Sequence, residues 1–304
     1  MQMHKKIASE LLQQVEYLHL YMITSVAIVG AGTMGSGIAL SAALGGCKVL
    51  LCDINAATLL TAQKNIGQWL QGMEAKQKIG PGEADVLLER ITFTGNIDSC
   101  KAALLIEAIV EKLEVKQDLF ARLAAINDAG SILASNTSSL SITAIQQRVP
   151  NAGRVAGLHF FNPAHMMKLV EVVQGLHSSA ETIATLMQFC KQINKVPVLC
   201  KDVPGFIVNR VARPYYLEAL HLASQQNVSF ETIDAAMEAA GFKMGPFKLM
   251  DLIGMDINLA VSTSLYQALN HPARLKPSAL QIQKVEAGKL GRKTGEGFYP
   301  YPST

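Results

Sequence analysis

One short segment constrains the fold of this chain more than any other, because it places three glycines between an apolar strand and a helix. Residues 30–35 read GAGTMG, a GxGxxG pattern that follows the apolar residues 25–29 and opens a predicted helix at residues 34–44. In such a loop Gly30 permits the tight turn, Gly32 lets a phosphate approach the backbone, and Gly35 lets the helix pack on the strand. The segment therefore predicts a βαβ unit that binds a dinucleotide at the helix N-terminus.

Asp53 indicates which dinucleotide is bound. It follows the second predicted strand, residues 48–52, at the place where an acid bonds the hydroxyls of the adenosine ribose. Because a carboxylate at this place repels a 2′-phosphate, the sequence predicts NAD rather than NADP as the cofactor.

Further apolar segments continue the alternation of strands and helices, which predicts an α/β fold with a doubly wound, mostly parallel Rossmann-type sheet. These segments comprise residues 91–94, 103–110, 131–135 and 155–158. Ligands of such sheets bind beyond the carboxyl ends of the strands. We therefore expect Glu111, Ser138 and His159, which follow or end three of these segments, at the ligand-binding edge.

His159 carries the predicted chemistry. It lies in the string GLHFFNP, and Glu171 follows twelve positions later. Histidine exchanges protons near neutral pH, and a carboxylate behind it can fix its tautomer and stabilise the imidazolium. A lone histidine is more often a structural residue than a catalytic one. The position of His159 downstream of a nucleotide-binding loop favours the catalytic interpretation.

Composition argues against several classes of function. The 304 residues carry a net charge of +3 without a run of Lys and Arg, which argues against nucleic-acid binding. Five cysteines form an odd number without a CxxC pair, which predicts free thiols in a reducing compartment, taken as the cytoplasm, and no metal site. Residues 20–47 are uncharged, but six glycines interrupt them. That pattern favours a buried strand–helix–strand unit over a membrane span.

The chain changes character near Lys201. The string DVPG at residues 202–205 breaks the pattern, and helical periodicity follows. We expect an NAD-binding Rossmann domain at residues 22–200 and an all-helical substrate and dimerisation domain at residues 201–304. The surplus of apolar helix faces in the second domain predicts a homodimer. Residues 1–21 are amphipathic and are expected to form a dispensable N-terminal helical extension.

A polar helical insert is predicted between Asp53 and Ile91, and two interpretations of it stay open. Its lysines, Lys64, Lys76 and Lys78, suit a solvated helical pair. They equally suit a basic arm that reaches a phosphorylated substrate.

Taken together, these motifs resemble the L-3-hydroxyacyl-CoA dehydrogenase family, 3-hydroxybutyryl-CoA dehydrogenases included, from about residue 25 to residue 301. The most specific strings are GLHFFNPAHMMKLVEVV and DVPGFIVNRV, supported by VAIVGAGTMGSGIA, ASNTSSLSI and LGRKTGEGFYPY. The resemblance implies a catalytic dyad of His159 and Glu171, with Ser138 and Asn209 holding the reacting oxygen. Implied contacts with NAD come from the glycine loop and from Asp53, Glu111, Lys116, Ser138, Asn162 and Lys293. Implied contacts with the acyl-CoA substrate come from Ser138, Asn162, Asn209 and, in the insert, Lys76.

The reaction that the resemblance implies is the reversible, NAD-dependent oxidation of L-3-hydroxyacyl-CoA to 3-oxoacyl-CoA, in fatty-acid or related acyl-CoA metabolism. A short-chain substrate, 3-hydroxybutyryl-CoA, is expected, and 3-hydroxyadipyl-CoA is the alternative suggested by the segments NRVARPYY and MDLIGMDIN. Two other classes of protein are alternatives: a β-hydroxyacid dehydrogenase with a lysine acid/base, and a non-enzymatic, crystallin-like NAD-binding protein. The His159–Glu171 pair would have no role in either.

Overall fold

The computed structural model describes residues 22–302, and the helical extension predicted at residues 1–21 lies outside them. The chain divides into two compact units between Asp202 and Val203. No helix in the described range is long and apolar enough to cross a membrane.

The N-terminal unit is built on an eight-stranded sheet. Its strands are β1 (Ser25–Val29), β2 (Lys48–Cys52), β3 (Ile91–Thr94), β4 (Leu104–Glu107), β5 (Ile132–Ser135), β6 (Val155–Phe160), β7 (Leu169–Gln174) and β8 (Val196–Lys201). Their order is β3-β2-β1-β4-β5-β6-β7-β8, and neighbours are parallel except β6 and β7. The predicted doubly wound, mostly parallel sheet is confirmed, and its switch point lies between β1 and β4, where ligands of such sheets bind.

Helices connect the strands of this sheet. They are α1 (Thr33–Leu44), α2 (Ala56–Ala75), α3 (Glu83–Glu89), α4 (Leu113–Ile126), α5 (Ile142–Gln146) and α6 (Ala180–Gln192). Side chains that accept the first free N–H groups fix where several of them begin, as Asn55 does for α2 and Ser179 does for α6. Helix α1 is buried on nearly all sides, which explains why its sequence is almost wholly apolar or small.

The predicted insert between Asp53 and Ile91 consists of α2 and α3. Only three of the 20 residues of α2 are buried, and these three, Ala62, Ile66 and Leu70, form a stripe along the helix. Trp69 is half-buried and its ring stacks on that of His165, with 4.4 Å between the centroids. The insert is therefore a packed helical pair, and this ring contact joins it to the loop after β6.

The C-terminal unit is helical, as predicted. Its helices are α7 (Val208–Gln225), α8 (Phe230–Ala239), α9 (Pro246–Ile253), α10 (Met255–Ala268) and α11 (Ala279–Glu286). Two buried carboxylates hold its chain segments together. Asp234 accepts hydrogen bonds from the N–H groups of Phe247 and Lys248, and Asp251 accepts from those of Phe298 and Tyr299. The core around them is aromatic and aliphatic, and it is separate from the core that surrounds the sheet.

Candidate active site

The glycine loop has the geometry that its sequence predicts. Gly30 has φ +104°, and a Cβ on it would lie 2.4 Å from the carbonyl oxygen of Ala108. A Cβ on Gly35 would lie 1.8 Å from the carbonyl oxygen of Gly30, whereas one on Gly32 would meet no atom within 4 Å. Gly30 and Gly35 are therefore required by the fold itself. Gly32 faces open space at the N-terminus of α1, where a phosphate fits.

Asp53, directly after β2, stabilises this loop through hydrogen bonds to its carboxylate. Its Oδ2 accepts a hydrogen bond from the N–H of Ala31 at 2.8 Å, and its Oδ1 accepts from that of Asn55 at 2.9 Å. Each carboxylate oxygen has further capacity to accept a hydroxyl hydrogen. A cavity of about 350 Å³ adjoins the loop and is lined by Ala31, Gly32, Thr33, Ser36, Ala57, Thr58, Thr61, Ala62, Asn65 and Trp69. The N–H groups at the N-terminus of α1 and the open backbone at Gly32 fit a dinucleotide pyrophosphate.

His159 and Glu171 form a buried pair across two strands. They lie directly opposite each other in the β6–β7 ladder, and His159 Nδ1 is 2.8 Å from Glu171 Oε2. The histidine is 4% exposed and the glutamate is completely buried. Because an ionised carboxylate only accepts hydrogen bonds, the proton belongs on Nδ1 and the lone pair on Nε2.

Ser138 completes a chain of polar atoms at this edge of the sheet. Its Oγ lies 3.1 Å from His159 Nε2, the nitrogen that carries the lone pair. Ser138 follows β5 and His159 lies near the end of β6, so parallel pairing of these strands brings the two together. Asn136 holds the segment after β5 against the end of β6, because its Oδ1 accepts a hydrogen bond from the N–H of Phe160.

Glu111 organises the loop that carries Ser138. Its Oε1 accepts hydrogen bonds from the N–H groups of Ser138 and Ser139 at 3.0 and 3.2 Å, and from the hydroxyls of Thr137 and Ser139. Burial by itself would raise the pKa of Glu111. The charge of Lys116 and these hydrogen bonds outweigh burial and hold the pKa below its usual value. Glu111 thus stays ionised and keeps the Ser138 loop in place.

Lys116 and Glu107 lie beneath that loop as a buried ion pair. Lys116 Nζ is 2.5 Å from Glu107 Oε1 and 3.1 Å from Glu111 Oε2, and the lysine is 1% exposed. Glu107 also accepts hydrogen bonds from Ser135 Oγ and the N–H of Ile109. The ammonium of Lys116 is therefore engaged with two carboxylates, and its predicted contact with NAD stays a prediction. Glu107 was not predicted as a site residue, although a carboxylate within an apolar strand is a signal of a buried polar role.

The loop after β6 carries Asn162, whose peptide bond to Pro163 is cis. Asn162 is exposed. Lys195, which is 7% exposed, stabilises this loop by hydrogen bonds. Its Nζ donates hydrogen bonds to the carbonyl oxygens of Ala164 and Met167 at 2.6 and 2.8 Å. Lys195 was not predicted as a functional residue, because in the sequence it is only a single basic residue before a strand.

The other predicted site residues are placed as follows. Lys76 is exposed and caps the C-terminus of α2. In the C-terminal unit, Asn209 is half-buried in the first turn of α7. Lys293 forms an ion pair with Asp256, with its Nζ 2.6 Å from Asp256 Oδ1. The contacts predicted for these three residues with NAD or substrate stay predictions.

Comparisons with known proteins identify the family to which this chain belongs. Residues 25–203 match the family model described as the NAD binding domain of 3-hydroxyacyl-CoA dehydrogenase, and residues 205–301 match the model of its C-terminal domain. The chain is 47% identical to the 3-hydroxyadipyl-CoA dehydrogenase of Escherichia coli, over 92% of this chain and 59% of that one. It is 43% identical to the mitochondrial hydroxyacyl-coenzyme A dehydrogenase of Rattus norvegicus, over 92% of both chains.

Among solved structures, the fold is similar to that of (S)-3-hydroxybutyryl-CoA dehydrogenase from Ralstonia eutropha. The TM-score is 0.88 at 37% identity, over 93% of this chain and all of that one. The chain thus spans the whole length of one relative but only about three fifths of the Escherichia coli relative.

Proposed function

The chain belongs to the 3-hydroxyacyl-CoA dehydrogenase family, and on that premise we propose that it oxidises short-chain L-3-hydroxyacyl-CoA, such as 3-hydroxybutyryl-CoA, reversibly and with NAD. The observation that carries the proposal is the chain of atoms from Glu171 through His159 to Ser138. A place in fatty-acid or related acyl-CoA metabolism follows from this reaction.

His159 is the proton-transfer group in this proposal. With Nδ1–H donating to Glu171, Nε2 takes the proton of the substrate hydroxyl during oxidation and returns it during reduction. NAD, when bound, supplies the acceptor for the hydride that leaves the carbinol carbon. The buried carboxylate of Glu171 fixes the imidazole tautomer and stabilises the imidazolium that forms.

Ser138 holds the reacting oxygen. Its hydroxyl lies beside His159 Nε2, so one substrate oxygen can contact both groups. Asn209 is assigned to the same oxygen, and Asn162 to the alignment of substrate and nicotinamide. Positioning of this kind supplies a substantial part of the rate enhancement of many enzymes. The glycine loop, Asp53, Glu111, Lys116 and Lys293 are assigned to NAD, and Lys76 to the CoA moiety.

The test is the oxidation of NADH in the presence of acetoacetyl-CoA. A free 3-hydroxy acid with NAD is the matched alternative, because a β-hydroxyacid dehydrogenase would use it instead. Activity with acetoacetyl-CoA supports the proposal. Activity with the free acid alone, or with neither substrate, would exclude it and favour one of the two rival classes.

A dicarboxylic substrate, 3-hydroxyadipyl-CoA, is the second candidate. The observation that favours it is the 47% identity to the Escherichia coli enzyme of that name. Values of kcat/KM for acetoacetyl-CoA, longer 3-oxoacyl-CoA and 3-oxoadipyl-CoA rank the candidates directly.

The C-terminal unit is proposed to form a homodimer. It exposes large apolar side chains, with Val211 at 72% and Phe242 at 50%, around an apolar cavity of about 650 Å³. Clusters of this kind on a protein surface commonly mark subunit interfaces. A molar mass of one chain by light scattering would exclude the dimer, and a Val211→Glu variant should dissociate it.

The domain boundary near Lys201 and the reducing compartment are also proposals. All five cysteines are free and buried, which suits the cytoplasm. Limited proteolysis that cleaves first between residues 201 and 205 would support the boundary, and unchanged activity in reducing buffer would support the compartment.

A further inference from the structure

Glu107 is the last residue of β4, and hydrogen-bond donors contact both oxygens of its buried carboxylate. The N–H of Ile109 donates to its Oε1 at 2.7 Å, and the ammonium of Lys116 donates to the same oxygen. The hydroxyl of Ser135 donates to its Oε2 at 2.6 Å. A buried carboxylate destabilises a fold unless such donors satisfy it, whereas an apolar side chain needs none. The partners of Glu107 therefore indicate what this carboxylate does.

A first connection leads from Glu107 through Ser135 to the segment that carries Ser138. Glu107 and Ser135 lie directly opposite each other in the parallel β4–β5 ladder. The hydroxyl of Ser135 donates to Glu107 and accepts a hydrogen bond from the N–H of Thr137 at 3.2 Å. Ser135 and Thr137 are almost completely buried, and a hydrogen bond is stronger in such surroundings than in water. Because Thr137 directly precedes Ser138, this connection fixes the backbone from which the Ser138 side chain projects.

A second connection leads to the same segment through charged groups. Lys116 Nζ contacts Glu107 Oε1 and also Glu111 Oε2, the latter at 3.1 Å. The other oxygen of Glu111 accepts hydrogen bonds from the N–H groups of Ser138 and Ser139. Without the charge of Glu107, the buried ammonium would be attracted to Glu111 alone. Glu107 therefore holds the lysine that helps to place Glu111, and Glu111 holds the backbone on both sides of the Ser138 side chain.

Both connections end at residues 137–139, next to the hydroxyl that lies 3.1 Å from His159 Nε2. The place of this hydroxyl decides whether one substrate oxygen can contact both groups, and reactions are sensitive to such alignment. We propose that Glu107 is a positioning residue for the reaction, which sets the place of the Ser138 hydroxyl beside His159 through both connections. This inference rests on the proposed function, in which Ser138 holds the reacting oxygen. Glu107 acts through its neighbours and is assigned no contact with substrate or cofactor.

A purely structural role is the competing explanation, in which Glu107 only neutralises the buried charge of Lys116. Loss of a structural residue lowers stability and the fraction of active protein, whichever side chain stands at residue 138. Loss of a positioning residue lowers kcat only while the Ser138 hydroxyl is present to be misplaced. The decisive quantity is therefore the coupling between substitutions at the two positions, which a double-mutant cycle measures.

The experiment measures kcat for the reduction of acetoacetyl-CoA by the full chain at saturating NADH. Glu107→Gln keeps the size of the side chain but weakens both connections, and we expect kcat to fall by about 100-fold, the scale of a misplacement of about 1 Å. Ser135→Ala breaks the first connection and leaves the ion pair with Lys116 intact, so a smaller loss of about 10-fold is expected. In a Ser138→Ala background, each substitution should lower kcat further by less than about twofold, because the hydroxyl that it misplaces is absent.

Ser178→Ala is the matched control for Ser135→Ala. Ser178 is also buried, and its Oγ donates to Val155 O at 2.6 Å and accepts from the N–H of Gly175 at 3.0 Å, at the start of β6. Its removal should leave kcat unchanged. If Glu107→Gln does not fold, as judged by circular dichroism, the cycle with Ser135→Ala decides. Losses that multiply in the double variants, or an unchanged kcat in Ser135→Ala, would overturn the inference alone. Unaltered enzyme that does not reduce acetoacetyl-CoA would overturn the proposed function and this inference with it.

Discussion

His159 and Glu171 face each other as direct cross-strand partners in the one antiparallel pair, β6–β7, of the described sheet. The 2.8 Å contact between Nδ1 and Oε2 is therefore fixed by the backbone register. A shift of one residue in that register would turn Glu171 to the opposite face of the sheet. The dyad is as rigid as the sheet that carries it, and this rigidity is what a proton-transfer group requires.

His159→Gln should lower turnover by about 100- to 10,000-fold, because the side chain keeps a similar volume but cannot act as an acid or a base near neutral pH. Binding of NAD, measured by calorimetry, should be unchanged, since the glycine loop lies after β1 and not in the β6–β7 pair. The matched variant Glu171→Gln keeps the base but removes the charge behind it, so its loss should be smaller. Near-normal turnover in His159→Gln would exclude this residue from the mechanism.

Gly35→Ala and Gly32→Ala should separate stability from cofactor binding. An added methyl group at residue 35 meets the carbonyl oxygen of Gly30, so we expect a protein destabilised by several kcal/mol, on the order of 3. At residue 32 the methyl group meets no protein atom within 4 Å, so the melting temperature should hold while the Kd for NAD rises. Equal melting temperatures for the two variants would contradict this account of the loop.

Asp53→Ala should narrow the preference for NAD over NADP. The carboxylate repels a 2′-phosphate, and its loss removes that repulsion. Because Asp53 also accepts hydrogen bonds from Ala31 and Asn55, the affinity for NAD itself should fall. The measurement is kcat/KM with NADH and with NADPH. Equal use of both cofactors by the unaltered enzyme would show that Asp53 does not select between them.

Lys116→Met should destabilise the protein by about 3–5 kcal/mol, because it leaves Glu107 as a buried, unpaired carboxylate. The exposed pair Arg122–Asp98 is the matched control, and Arg122→Ala should change the free energy of unfolding by less than about 1 kcal/mol. Urea unfolding of both variants measures the difference. If both variants change the free energy of unfolding by a similarly small amount, the buried pair is not required for the fold.

Lys195→Met should destabilise the loop after β6, since two carbonyl oxygens lose a buried donor, at about 1–3 kcal/mol. The effect should depend on pH. Burial, and then the charge of Lys168, lower the pKa of Lys195 from 10.5 to about 8, with Cys190 opposing and His165 close by.

The sign of that pH dependence follows from the direction of the shift. Because the pKa of Lys195 is lower in the folded state, the unfolded chain binds the extra proton between about pH 8 and 10.5. This lysine's contribution to stability therefore grows as the pH rises through that window. The difference in unfolding free energy between the unaltered protein and Lys195→Met should widen from pH 8 to pH 10.5, and a constant difference would contradict the assignment.

Local sequence alone determined the nucleotide-binding half of the fold. The glycine loop, the strand before it and Asp53 lie within thirty residues, and their conformations follow from steric limits on single residues. The same holds for the alternation of strands and helices and for the change to helical periodicity after Lys201. Resemblance to a family added the roles of His159 and Glu171, which spacing by itself left open.

Only the tertiary structure decided how distant residues pair. The antiparallel entry of β7, the buried contact of Lys116 with Glu107 and the two bonds of Lys195 all join residues from different elements. Each depends on strand register and helix packing, which are set by burial summed over the whole unit rather than by any local pattern. The sequence determined which chemical groups are present, and packing determined which of them meet.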